Sequence, residues 1–253
     1  EINCVEEEKM QPFVFKNVTY TDKLEFANSL GKNWEDGKNV FFSGALEKYF
    51  RNNGNKTLEQ FCINAITEHA TGSDDDVLYY RLLYKIEPKL SKIYWKGQEY
   101  SEAEFAKNMI LEPLWKCNGI FDSKTVENNL GKIKEIQKGN LLSTYYGRKN
   151  TSNLYYELAC KFEFSTDYYS RDAIYLYYTM AYEMIGSRLF RLNDIIFSSL
   201  DEFGNYINDL IDSDINEYFK ICDSLYDTDI RTDFYCWMKS MEYEGRVSQL
   251  NME

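Results

Sequence analysis

Apolar positions recur along most of the chain at intervals of three and four residues, the spacing that lays one stripe along a helix. Phe61, Cys62, Ala65, Ile66 and Ala70 keep this period, as do Val77, Leu78, Leu82 and Ile86. Each run follows a hydroxyl residue placed three positions before an amide or acid, in Thr57-Leu58-Glu59-Gln60 and Ser73-Asp74-Asp75-Asp76, so Thr57 and Ser73 are expected to cap first turns. Gly72 and Pro88 close the two runs, which together read as a helical hairpin. Further helices are expected over 43–52, 123–137, 153–162, 167–185, 215–225 and 229–241. The run over 167–185 carries Ala173, Ile174, Leu176, Tyr177, Met180, Ala181, Met184 and Ile185 and is apolar on most sides, which predicts a buried central helix.

Extended stretches are short, and they repeat one plan. Phe15-Lys16-Asn17-Val18-Thr19-Tyr20-Thr21 precedes Leu24, Glu25, Phe26 and Leu30, while Trp95-Lys96-Gly97-Gln98-Glu99-Tyr100-Ser101 precedes Glu104, Phe105 and Ile110. A looser copy, Leu192-Asn193-Asp194-Ile195-Ile196-Phe197-Ser198, precedes Leu200, Glu202, Phe203 and Ile207. Each joins a strand through an Asn, Gly or Asp turn to an aromatic residue, then a hydroxyl cap, then an amphipathic helix. Spacings of about 80 and 97 residues are longer than solenoid periods. The fold class is therefore mainly α: a helical domain with a few short β-hairpins or strands preceding capped helices, in the manner of degenerate internal repeats. Turn-like sequence near Gly119 divides the chain into an N-terminal helical lobe over 1–118 and a C-terminal helical lobe over 119–253, closely packed on the first; residues 147–152 are a second candidate boundary.

Tyr20 with Leu24, Asn33-Trp34 with Gly37-Lys38 and Leu46, Arg81-Leu82-Leu83-Tyr84 with Pro88, and Tyr94-Trp95-Lys96-Gly97 with Tyr100 form a set of packing and turn motifs between Phe13 and Trp115. On these motifs residues 13–115 resemble an uncharacterised bacterial helical module found beside kinase-like or J-domain chaperone-like regions. The resemblance implies an accessory, non-catalytic role and carries over no active-site residue.

Composition narrows the chemistry. With 44% hydrophobic residues the chain can offset its ordering entropy by burial, and with three prolines it reads as helices rather than loops. No apolar run reaches the ~18 residues that cross a bilayer, so no membrane span is expected. The chain opens on Glu1 rather than methionine, which leaves open what precedes it. Cys4, Cys62, Cys117, Cys160, Cys222 and Cys236 are widely spaced with no CxxC pair, and His69 is the sole histidine; such a set lacks the clustered ligands of a zinc site. The cysteines read as reduced core thiols and the location as cytoplasmic, with the sequons at Asn17, Asn55 and Asn150 read as chance. His69 falls near a helix end, where it complements the dipole; Ser29-Leu30-Gly31-Lys32 reads as a helix end rather than a nucleophile motif, and Asp74-Asp75-Asp76 as a helix N-terminus rather than a cation site. No glycine-rich phosphate loop is present, and no cofactor is expected. The doubled tyrosines are expected to place one ring in the core and the other near the surface.

The net charge of −12 is concentrated between Asp194 and Asp229, where ten acids face one base, Lys220. Like charge disfavours direct binding to nucleic acid or an anionic membrane. The leading functional expectation is a non-catalytic protein-interaction or regulatory module that binds a partner with a basic surface, with Asp201, Asp209, Asp212, Asp214, Glu217 and Asp223 as interaction candidates. A nucleic-acid-mimicking inhibitor of a nucleic-acid-binding protein and an enzyme with a dispersed carboxylate and tyrosine site stand as alternatives. Oligomeric state is not readable.

Overall fold

The computed structural model describes residues 10–148, 154–165, 167–226 and 231–250. Cys4, the sequon at Asn150, residues 149–152 of the second candidate boundary, the expected helix starts at residues 153 and 229, and Asp227 and Asp229 lie outside the described residues. The fold is mainly helical with short two-stranded hairpins, as the pattern predicts. By contact the chain divides into two compact units, Glu1–Ser101 with Thr144–Thr151, and Glu102–Ser143 with Ser152–Glu253.

The first unit begins with hairpin β1 (Phe13–Phe15) and β2 (Val18–Tyr20), continues through α1 (Lys23–Lys32), α2 (Trp34–Phe42), α3 (Ala45–Asn52), α4 (Lys56–Ala70) and α5 (Asp75–Ile86), and reaches a second hairpin, β3 (Ile93–Trp95) and β4 (Gln98–Tyr100). Helix α5 is buried on most sides through Val77, Leu78, Tyr79, Tyr80, Leu82, Leu83, Tyr84 and Ile86. Two glycines make room for its neighbours. A Cβ on Gly37 would lie 1.7 Å from the Tyr79 hydroxyl, which donates to the Leu30 carbonyl at 3.0 Å. A Cβ on Gly31 would lie 2.4 Å from the Tyr94 ring, so α1 and the second hairpin touch through backbone.

Two expected caps move. Asn55, not Thr57, caps α4 by accepting from Leu58 N at 3.0 Å, and Asp74, not Ser73, caps α5 by accepting from Asp76 N and Val77 N. In both places the residue just outside the first turn is Asn or Asp, at least as good a cap as the hydroxyl residue near it. Asp76 then serves a different purpose: its carboxylate accepts from Trp34 Nε1 at 2.7 Å and from Lys38 Nζ at 2.8 Å, fastening α5 to α2.

The second unit holds α6 (Glu102–Ala106), a π-helical turn (Lys107–Leu111), α7 (Glu112–Lys116), α8 (Ser123–Asn129), α9 (Gly131–Gly139), the start of α10 (Leu141–Gly147), α11 (Leu154–Phe164), α12 (Arg171–Ile185), a third hairpin of β5 (Phe190–Leu192) and β6 (Ile195–Phe197), then α13 (Leu200–Ser213), α14 (Ile215–Tyr226) and α15 (Thr232–Leu250). The helix expected over 123–137 is broken at Leu130, which turns fully into the core and hands over to Gly131, a poor residue for continuing a helix. Helix α12 is the expected central element, with eight residues buried. Beside it, Gln137 donates to the Phe162 and Ser165 carbonyls at 2.7 and 2.8 Å and accepts from Tyr168 at 2.7 Å, so a buried amide ties α9 to α11 and to the chain entering α12. At the start of α15, Arg231 and Asp233 form a buried two-point pair at 2.9 Å, and Thr232 N donates to the Gly119 carbonyl.

The tyrosine expectation fails for three of the five doubled tyrosines. Tyr79-Tyr80, Tyr145-Tyr146 and Tyr177-Tyr178 are buried as pairs, because their helices are covered on adjacent faces; Tyr155-Tyr156 and Tyr168-Tyr169 come nearer to the expectation, each with one ring exposed and the other half-buried rather than in the core.

Candidate functional site

The third hairpin and the two helices after it carry the acid-rich segment. Asn193 and Asp194 form the turn with φ of 47° and 66°, the doubly left-handed geometry that matches strand twist in a two-residue hairpin. Phe190, Leu192 and Phe197 are buried on one side of the hairpin, where Phe190 stacks on Trp237 at 5.2 Å. Ser199 then caps α13 by accepting from Glu202 N at 3.2 Å, while the Glu202 carboxylate accepts from Ser198 N at 2.8 Å and from its hydroxyl at 2.9 Å. These bonds from Ser198 hold the Glu202 carboxyl below the usual carboxylate range.

Helix α13 has the amphipathic period of a packed helix yet buries no residue; Phe203, Tyr206, Ile207 and Leu210 are only half-buried. Ile195, Ile196, Leu200, Ile211, Ile215 and Phe219 are between 40% and 57% exposed; Ile211, Ile215 and Phe219 lie about the α13–α14 turn, and Ile195, Ile196 and Leu200 on the third hairpin and at the start of α13. The sequence candidates sit among them. Asp201, Asp209 and Asp212 are exposed on α13, and Asp223 is exposed on α14. Asp214 is exposed in the turn, where its carboxylate accepts from Glu217 N at 3.0 Å. Glu217 is partly committed, accepting from Asn193 at 2.9 Å and from Lys220 at 3.3 Å, so it fastens the hairpin turn to α14.

The exposed apolar residues were not among the sequence candidates. Their signal was present: two adjacent amphipathic stretches, 200–213 and 215–226, each carry more apolar positions than one can bury against the other.

Other chemistry-bearing residues are engaged structurally. His69 Nδ1 lies 2.6 Å from Asp75 Oδ1, and its ring stacks on Phe42 at 4.4 Å, so the sole imidazole joins the end of α4 to the start of α5. Ser29 accepts from Tyr20 at 2.8 Å within α1. Burial pushes the Cys62 and Cys117 thiols up to about 12, which keeps them protonated and unreactive near neutral pH. Among the described residues, no group of His, Cys, Asp and Glu is placed to hold a metal ion, and no helix is long and apolar enough to cross a membrane. An open groove of about 550 Å³ in the first unit is lined by Tyr20, Glu25, Asn28, Lys32, Tyr94 and Glu99 among others; Tyr94 donates to Asn28 at 2.8 Å and Lys32 lies 3.3 Å from Glu99 across it. No protein-family model, curated protein or solved structure matches the chain.

Proposed function

We propose that the protein is a non-catalytic interaction module of the cytoplasm that binds a partner protein with a basic surface through α13 and α14. The observation that carries this reading is the pairing of exposed apolar residues, Ile211, Ile215 and Phe219, with exposed acids, Asp201, Asp209, Asp212, Asp214 and Asp223, on one helical hairpin. Apolar contacts supply binding energy when they leave water, and surrounding carboxylates select a positively charged partner and speed its encounter. The accessory role implied by the resemblance of residues 13–115 points the same way.

Cross-linking mass spectrometry on host extract, with the full chain and with a D201N/D209N/D212N/D223N variant, tests the reading. Basic partners cross-linked to 200–223 at low salt, lost at high salt and lost in the variant, are the expected result. An unchanged set of partners in the variant refutes it.

A further inference from the structure

The hairpin-and-helix plan occurs in each of the two units with the same left-handed turn, cap and ring partners, and in the first unit the far side of the helix is occupied. Setting Phe26 on Phe203 places Glu25 on Glu202, Ala27 on Gly204, Asn28 on Asn205 and the cap Asp22 on the cap Ser199. The ring partners correspond as well, tilted in the first copy and edge-on in the second: Phe26 lies 5.0 Å from Phe13 and 5.7 Å from Tyr20, and Phe203 lies 5.8 Å from Phe190 and 5.2 Å from Phe197. Each helix therefore leans on its own hairpin through the same turn and presents the same opposite stripe.

On α1 that opposite stripe is the seat of the second hairpin. Tyr94 lies against Gly31 and donates to Asn28, and its cross-strand neighbour Glu99 pairs with Lys32. On α13 the matching residues are Asn205, Asn208 and Asp209, flanked along the stripe by Asp201 and Asp212, and all five are exposed. Two exchanges define what would fit. Asn208 occupies the space that Gly31 leaves open, so the incoming residue at the Tyr94 position must be small. Asp209 stands where Lys32 stands, so the residue at the Glu99 position must be a base, a requirement that Asp201 and Asp212 reinforce.

We infer that this stripe of α13 is the docking seat for a β-hairpin of another protein, one that presents a small side chain and a Lys or Arg as a cross-strand pair. The inference rests on the proposed function and names the element of the basic partner that is recognised. The chain's own first hairpin offers Val14 and Thr19 at these positions and lacks the base, so a second copy is the poorer occupant.

The probe is a backbone-cyclised peptide of residues 93–100 carrying Tyr94→Val and Glu99→Lys, titrated into the full chain and followed by amide chemical shifts. The expected result is a perturbation centred on Asn205, Asn208 and Asp209, with binding about fivefold tighter than for the same cycle retaining Glu99, the scale of one exposed ion pair. D209K should reverse that preference. A linear scrambled peptide of identical composition separates the two levels: if it binds as tightly at the same residues, the hairpin inference falls while the acidic-surface reading stands. If neither lysine peptide shifts α13, the hairpin inference falls, and the acidic-surface reading falls with it only if the four-asparagine variant also keeps its partners. Self-association through Val14, abolished by V14E, would likewise overturn the assignment.

Discussion

Helices α1 and α13 start alike and end differently. Both are capped by a short side chain that accepts from the third residue of the helix, both wedge a phenylalanine beneath the hairpin they leave, and yet α1 buries Phe26, Ala27, Leu30 and Gly31 while α13 buries nothing. Local chemistry thus sets where such a helix begins and how it leans on its hairpin. What covers the remaining faces depends on partners distant in sequence: α1 has α5 and the second hairpin, whereas α13 meets α15 through Phe203 and otherwise has α14, itself largely exposed.

The sharpest way to probe this contrast is to remove the shared ring. Phe26→Ala should destabilise the protein by about 3–5 kcal/mol, since a fully buried ring leaves a cavity, and Phe203→Ala by only about 1–3 kcal/mol, since its ring is incompletely covered. Urea unfolding of both variants checks the order, and equal losses would mean that α13 is as well covered as α1.

A smaller effect is expected one turn later. Gly31→Ala forces a methyl group against the Tyr94 ring and should cost about 1–3 kcal/mol, whereas Asn208→Ala at the matching place should stay within about 0.5 kcal/mol. Thermal denaturation separates these outcomes.

Two acids extend the comparison to charge. Partial burial pushes the Asp76 carboxyl up, but hydrogen bonds from Lys38 and Trp34 and the charges of Lys38 and Lys96 outweigh it, leaving the group below its ordinary value. Its stabilising contribution is accordingly present above the unfolded carboxylate pKa of about 4 and is lost as pH falls through the lower folded value. Asp76→Asn should cost about 1–2 kcal/mol at neutral pH and flatten the acid side of the stability profile below about pH 4. A stability profile with an unchanged acid limb would show that Asp76 is not held as described. Asp209→Lys, by contrast, should leave stability at neutral pH within about 0.5 kcal/mol, because that carboxylate stands exposed on the outer stripe of α13.

Much of this contrast is legible in the sequence. The dipeptides Lys16-Asn17, Lys96-Gly97 and Asn193-Asp194 give away their turns because few residues tolerate two successive left-handed conformations, and the recurring aromatic-cap-helix order marks the helix after each turn. The buried character of α12 is written in its apolar circumference. Other features are hidden for physical reasons. Competition among neighbouring cap residues is decided by small differences in reach, so Asn55 and Asp74 displace Thr57 and Ser73. The break at Leu130 and the paired burial of Tyr79 and Tyr80 depend on what arrives from elsewhere in the chain. The acids of α13 can be picked out by sign alone, but their alignment with Asn28, Gly31 and Lys32 gains meaning only from Tyr94 and Glu99, which rest on those three.

The ring cluster beneath the third hairpin has a temporal consequence. Phe190 and Phe203 complete their packing against Phe234 and Trp237, and the Arg231–Asp233 pair that opens α15 closes over Gly119. A nascent chain emerging from the ribosome therefore carries these phenylalanines uncovered until residues 231–237 have been made, and the ring cluster closes only after α15 emerges rather than when the hairpin itself does.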